Sequence, residues 1–241
     1  MNLQATSILL ALSALLSVPC AGQAPVHIPK EFVETVPPEV GSDEWNALNF
    51  SENDFSVRIV DGELEIKRID EVNDVEVCEL RIPNGRLVGI NRFEKGGTLS
   101  FEPSGDPEHS VEIKQGNIKF VFTHKGRIYF IEGLEHLSTN SGALYELEHS
   151  DDSFTYNKRI DFDDAPEAFT LFQDKFLIAT HGNFYAVHDL KEELVFKATF
   201  WSGLYPNSIA ALDEENVFIG MRSGVVKLDL AAKTLKFYRN D

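Results

Sequence analysis

The sequence predicts an all-β fold built from repeated four-stranded units, and three observations carry that prediction. Short runs alternate apolar and polar residues with the period of two that a half-buried strand requires. Clusters of Gly, Asn, Asp and Pro separate the runs at hairpin spacing, as in "ENVFIGMRSGVVKLDL" at 215–230. The whole pattern then recurs every 40–45 residues. Nothing in the chain reads as a long amphipathic helix.

The first element is a processing segment. Ile8 to Val18 is apolar and is followed by Pro19-Cys20-Ala21-Gly22, small residues of the kind a signal peptidase accepts. The stretch is shorter than the ~20 apolar residues that span a bilayer as a helix. Residues 1–22 are therefore expected to be a signal peptide, and the product periplasmic or secreted, although no Lys or Arg precedes the apolar run. Acylation of Cys20 is the alternative, against which Pro19 occupies a position where Gly or Ala is preferred. Cleavage after Gly22 leaves Cys78 as the single cysteine, so no intramolecular disulfide can form. In "VEVCELRI" it reads as a small buried apolar residue.

Residues 23–45, with Pro25, Pro29, Pro37 and Pro38, read as an extended arm or strap. The repeating domain is expected over 46–241. Its first part, "FSVRIVDGELEIKRI", is a hairpin turning at Asp61-Gly62, with no inner strands to complete it. Four fuller units follow. Aligned on the glycine that opens the third strand, they begin that strand at Gly97, Gly142, Gly182 and Gly224, at spacings of 45, 40 and 42 residues. The preceding arms match as "RLVGINRFEKGG", "RIYFIEG", "KFLIATHG" and "VFIGMRSG". The opening strands match as "VCELRIPNG", "IKFVFTHKG", "EAFTLFQDK" and "SIAALDEEN". Asn84-Gly85 is a pair suited to a tight hairpin turn, since both positions tolerate φ > 0.

Four-stranded units at this period resemble β-propeller blades. A lone four-stranded sheet leaves its faces uncovered, and packing units around an axis covers them. The likeness spans about Val75 to Arg239. It lacks the Trp-Asp ending of WD40 repeats and the kelch double glycine; "PNSIAALDEENVFIGMRSGVVKLDL" resembles the loosely defined repeats of bacterial secreted propellers. The resemblance implies five four-stranded blades with a degenerate first blade, the alternatives being a four-bladed ring with an extra hairpin and an open β-sandwich of the same hairpins.

Charge narrows the partners. Thirty-nine acidic residues against 22 basic ones give a net charge of −17, which disfavours nucleic acid and anionic membranes as partners. A cationic protein, a metal ion or simple solubility is compatible with it, solubility being the first reading. No Gly-x-Ser-x-Gly, His-Glu-x-x-His, phosphate-binding glycine loop or Cys-x-x-Cys occurs. "DFDDAPE" at 161–167 gathers four carboxylates, but Pro166 and Phe172 stand where an EF-hand needs Gly and Glu. No cofactor or metal is expected, a loosely bound Ca²⁺ being the alternative. Asn49-Phe50-Ser51 is a glycosylation sequon.

In a propeller, the loops between second and third strands share one face with the loops that join blades. That face is expected to carry Arg92, Glu132, His136, His181 and Arg222 from the former, and Asp163, Trp201 and Tyr205 from the latter. Trp201 and Tyr205 are taken as exposed aromatic anchors, with Glu132, His136 and Asp163 shaping charge; the competing role for both rings is a wedge between blades. Glu132–Ser141, "EGLEHLSTNS", is the longest inserted loop. The resulting expectation is a monomeric, exported, non-catalytic binding protein, an inhibitor or immunity-type partner of a secreted basic protein, with no catalytic residues assigned. Two alternatives stand beside it: a metal- or carboxylate-dependent propeller enzyme of lactonase, lyase or glycosidase class, and an envelope-assembly component.

Overall fold

Alternating side chains and tight turns fold the chain into antiparallel hairpins almost from end to end. The computed structural model describes residues 26–70, 73–106, 109–150 and 153–240. The signal segment and Cys20 lie outside the described residues. In order, the chain forms β1 (Val33–Thr35), the helix α1 (Asp43–Asn49) and the hairpin β2 (Asp54–Val60) and β3 (Glu63–Ile69). Four units of four strands follow. The first holds β4 (Glu76–Ile82), β5 (Gly85–Asn91), β6 (Gly97–Pro103) and β7 (Val111–Gln115). The second holds β8 (Ile118–His124), β9 (Arg127–His136), β10 (Thr139–Ser150) and β11 (Ser153–Phe162). The third holds β12 (Pro166–Phe172), β13 (Lys175–Thr180), β14 (Phe184–His188) and β15 (Lys191–Phe196), and the last β16 (Ser208–Asp213), β17 (Asn216–Met221), β18 (Gly224–Asp229) and β19 (Thr234–Arg239).

The fold is thus all-β with repeated four-stranded antiparallel sheets, each in simple up-and-down order. The repeat glycines all fall near the head of the third strand, but not at one shared position. Gly97 and Gly224 open the third strands β6 and β18, Gly142 lies on β10 and Gly182 just precedes β14. At Gly142 the reason is crowding: a Cβ there would stand 2.1 Å from Cδ of Pro166 and 2.7 Å from the carbonyl of Glu132.

Four apolar clusters hold consecutive sheets together. Leu87, Leu99, Ile118 and Phe130 join the β4–β7 sheet to the β8–β11 sheet. Ile131, Leu144, Phe176 and Ile178 join that sheet to β12–β15. Leu177, Trp201, Ile219 and Phe237 join the third unit to the last, with Leu48 of α1 added. Phe55 and Val57 of β2 meet Phe218 and Val225 of the last sheet, with Phe32 of the arm over them. Each buried side chain of this size contributes about 1.5–3 kcal/mol.

The proline-rich arm is a strap. β1 pairs antiparallel with β19, Val33 opposite Arg239, so the last sheet has five strands. Ser42 caps α1 by accepting from the Trp45 amide at 3.1 Å. The helix then grips the loop before β16: Trp45 Nε1 donates to the Phe200 carbonyl at 2.9 Å, and Asn49 Nδ2 to that of Gly203 at 2.5 Å. The sequon asparagine therefore spends its amide on a structural contact.

Three local expectations need correction. Glu132–Ser141 is no loop, because β9 and β10 extend through it and turn only at Leu137 and Ser138; Glu135 pairs with Asn140 and His136 with Thr139. In the β4–β5 turn, Asn84 takes φ 70°, while Gly85 already belongs to β5. What Gly85 supplies is room, since a Cβ would sit 2.2 Å from the Glu102 carbonyl. Trp201 is not exposed. Its ring is fully buried and its Nε1 donates to the Thr180 carbonyl at 3.3 Å, so it fills the space between the third and last sheets.

Candidate functional site

The chain places a charged residue at or next to the start of four first strands. Asp54 opens β2, Glu76 opens β4, and Lys119 and Glu167 are the second residues of β8 and β12. All four line one cavity of about 570 Å³, which Phe93, Phe120, Cys78, Tyr205, Asn207 and Arg222 complete. Four sheets contribute strand residues to it and the last contributes the loops before β16 and after β17; the volume lies within the ~300–1,000 Å³ range of small-ligand sites.

On one side the centre is Lys119. Its Nζ lies 2.7 Å from Oε2 of Glu167 and 3.7 Å from Oε2 of Glu76, with the Phe93 ring centroid at 5.7 Å. Asn91 Nδ2 donates to the same Glu76 oxygen at 2.6 Å. Burial disfavours the Lys119 ammonium, but the carboxylates of Glu167 and Glu76 outweigh it and hold the amine above its ordinary pKa. Lys119 is therefore a fixed cation and no nucleophile. Glu167 is nearly enclosed, whereas the Glu76 side chain is 50% exposed and so faces the cavity space.

On the other side is Arg222, in the β17–β18 turn. Its guanidinium carbon stands 4.5 Å from the Tyr205 ring centroid, a cation–π contact. Its Nη1 donates to the Asn49 carbonyl at 2.8 Å, and its Nε lies 3.4 Å from Oδ1 of Asp54. The strap thus sets this corner, because Asn49 and Asp54 belong to α1 and β2. Cys78 lies against the wall, and burial pushes its thiol up to about 11.

Of the eight residues expected on the working face, the structure brings two into this cavity, Tyr205 and Arg222. His181 is half-buried beyond Glu167, its amide donating to the Ala165 carbonyl at 2.8 Å. Arg92 precedes Phe93 but does not line the cavity. Glu132 forms an ion pair with Lys114 in a separate hollow of about 310 Å³ beside Tyr145 and Asp161. His136 is exposed at the far tip of the β9–β10 hairpin, and Asp163 is exposed outside the cavity. The carboxylates of "DFDDAPE" do not converge. Asp161 pairs with Lys158, Asp164 accepts from the Gly182 amide and Asn183, and Glu167 holds Lys119. Among the described residues, no group of three or more His, Cys, Asp and Glu is arranged to hold a metal ion.

Asp54, Glu76 and Lys119 are not singled out by the sequence, which marks Glu167 only as one carboxylate of "DFDDAPE". A signal was available: a charged residue recurs at the head of the first strand in four units. No protein-family model matches the chain, and no curated protein matches it.

Proposed function

We propose that the five sheets form a β-propeller whose first blade has two strands, and that the protein is an exported, non-catalytic binding protein for a basic partner. The cavity is its site, taking a lysine or arginine side chain of that partner. The observation that carries this reading is the cavity's charge. Asp54, Glu76 and Glu167 outnumber Lys119 and Arg222, both cations are tied internally, and Glu76 is left half-open toward the space. The propeller reading draws support from the repeated up-and-down four-stranded sheets and from the four first strands, β2, β4, β8 and β12, that meet at the cavity. A net charge of −17 steers a basic segment toward the protein.

Calorimetric titration with the peptides triarginine and triglutamate tests this. Triarginine is expected to bind, more weakly as salt rises, and triglutamate not to bind. Equal binding of both, or no heat with triarginine at millimolar concentration, overturns it.

A second reading, a carboxylate-dependent enzyme, draws on the meeting of Glu76 and Glu167. Lys119 lies 2.7 Å from Glu167 and 3.7 Å from Glu76, yet burial outweighs that ammonium and holds the Glu167 carboxyl above its ordinary range, as a general acid requires. On that reading Glu167→Gln abolishes a turnover while the fold survives.

A further inference from the structure

Sheet edges invite pairing, and folded proteins blunt them with bulges, short strands or covering segments. Here three of the four complete sheets carry an irregularity between their third and outer strands, at Leu99/Ser100, Leu144/Tyr145 and Phe184/Tyr185. The fourth is covered by β1, itself only three residues long. The β2–β3 hairpin is different. Its register runs unbroken through seven pairs, and among the described residues no strand pairs with the outer edge of β3.

The hydrogen-bonding direction of that edge follows from the turn. Asp61 and Gly62 form a two-residue turn, with φ 52° and 83°, so Val60 and Glu63 are a hydrogen-bonded pair. Alternation then aims the backbone groups of Glu63, Glu65 and Lys67 at β2, and those of Leu64, Ile66 and Arg68 outward. The side chains of Leu64 and Ile66 pack on the core but stay half-exposed.

The geometry points to pairing of β3 with β3 of a second copy, antiparallel about a two-fold axis at Ile66. A two-fold register must place an outward-directed residue opposite itself or exchange two of them. Centring on Glu65 or Lys67 sets like charges opposite each other, and centring on Leu64 sets Glu63 against Glu65. Centring on Arg68 opposes two guanidinium groups. Centring on Ile66 instead sets Glu65 opposite Lys67 twice, at a non-hydrogen-bonded position where side chains come closest. It also covers Ile66 with its own copy and adds about six backbone hydrogen bonds. One short strand on each side is a small interface, so the dimer forms in a concentration-dependent way. This inference stands independently of the ligand cavity.

Sedimentation velocity under reducing conditions, which exclude a Cys78 disulfide, tests it. The wild-type chain is expected to shift from monomer to dimer as concentration rises through about 50 μM. Glu65→Lys and Lys67→Glu alone are each expected to weaken the dimer by ~10-fold or more, and an equimolar mixture of the two to restore it. Lys67→Glu leaves both partners of the Arg58–Glu65 pair in place, removes the Lys67–Glu65 contact at 3.4 Å, and serves should Glu65→Lys misfold. Its dimer is expected to strengthen in 1 M salt, where like-charge repulsion is screened, the opposite of wild type. A wild-type monomer up to ~1 mM overturns the proposal. So does a dimer that neither reversal weakens, or a Lys67→Glu variant that salt does not rescue.

Discussion

Lys119 and Glu167, from the first strands of consecutive sheets, meet at 2.7 Å with both side chains largely withdrawn from solvent. Two strands with no backbone bond between them are thereby tied at the wall of the cavity. Removing one partner of such a pair leaves a buried charge uncompensated, whereas removing both does not.

Glu167→Gln is accordingly expected to lower stability by about 3 kcal/mol, Glu76 compensating only in part. Glu167→Gln combined with Lys119→Met is expected to recover most of that loss. The pH dependence has a definite sign. The Lys119 amine is raised above its unfolded value, so its contribution is complete below the ordinary lysine pKa and fades as pH climbs through the raised one. Urea unfolding at pH 8 and pH 11 checks this: wild type loses more stability across that range than Lys119→Met does.

Trp201→Ala is expected to cost about 3–5 kcal/mol, because a fully buried indole between two sheets leaves a large cavity. Trp201→Phe keeps most of the packing and loses the bond to the Thr180 carbonyl, at about 1 kcal/mol. Denaturant midpoints of both variants decide whether this ring is a wedge or a contact residue.

The two aromatics of "FWSGLYPN" show what was legible in the sequence. Strand order, hairpin turns and the repeat could be read because period-two alternation and recurring glycines are local signals. Which ring of one loop turns inward is decided by what lies across it. Trp201 enters the gap between two sheets, while Tyr205 takes φ 52° and stays 45% exposed beneath Arg222. The helix α1 is not legible in the sequence because seven residues after Pro37-Pro38 carry too short a pattern, and its partners lie some 155 positions away. Lys119 is not legible either, because a lysine between apolar residues reads as solvent-facing until its two glutamates, from other units, are placed beside it.

The repeat glycines differ in how much room they have. At Gly142 a methyl group collides with Pro166, so Gly142→Ala is expected to cost about 2 kcal/mol or more. At Gly182 the nearest atom is 3.5 Å away, and Gly182→Ala is expected to change stability by no more than about 0.5 kcal/mol. Thermal unfolding of the two single variants separates them.

Burial holds the Cys78 thiol up to about 11. At pH 8 its thiolate population is on the order of 100-fold below that of an unstrained cysteine. Reaction with a disulfide reagent is therefore expected to be slow in the folded protein and fast in urea. Equal rates in both conditions would show an open thiol.

The most direct test of the account sets the cavity against the outer face. Glu76 faces the cavity space, and Asp163 lies exposed outside it. The affinity of triarginine is measured by calorimetry for wild type, Glu76→Gln and Asp163→Asn, each confirmed folded by its melting curve. Loss of a charged acceptor in the site is expected to weaken binding by ~10-fold or more, while Asp163→Asn stays within about twofold. Undiminished binding by Glu76→Gln, or a larger loss in Asp163→Asn, would contradict the cavity as the binding site.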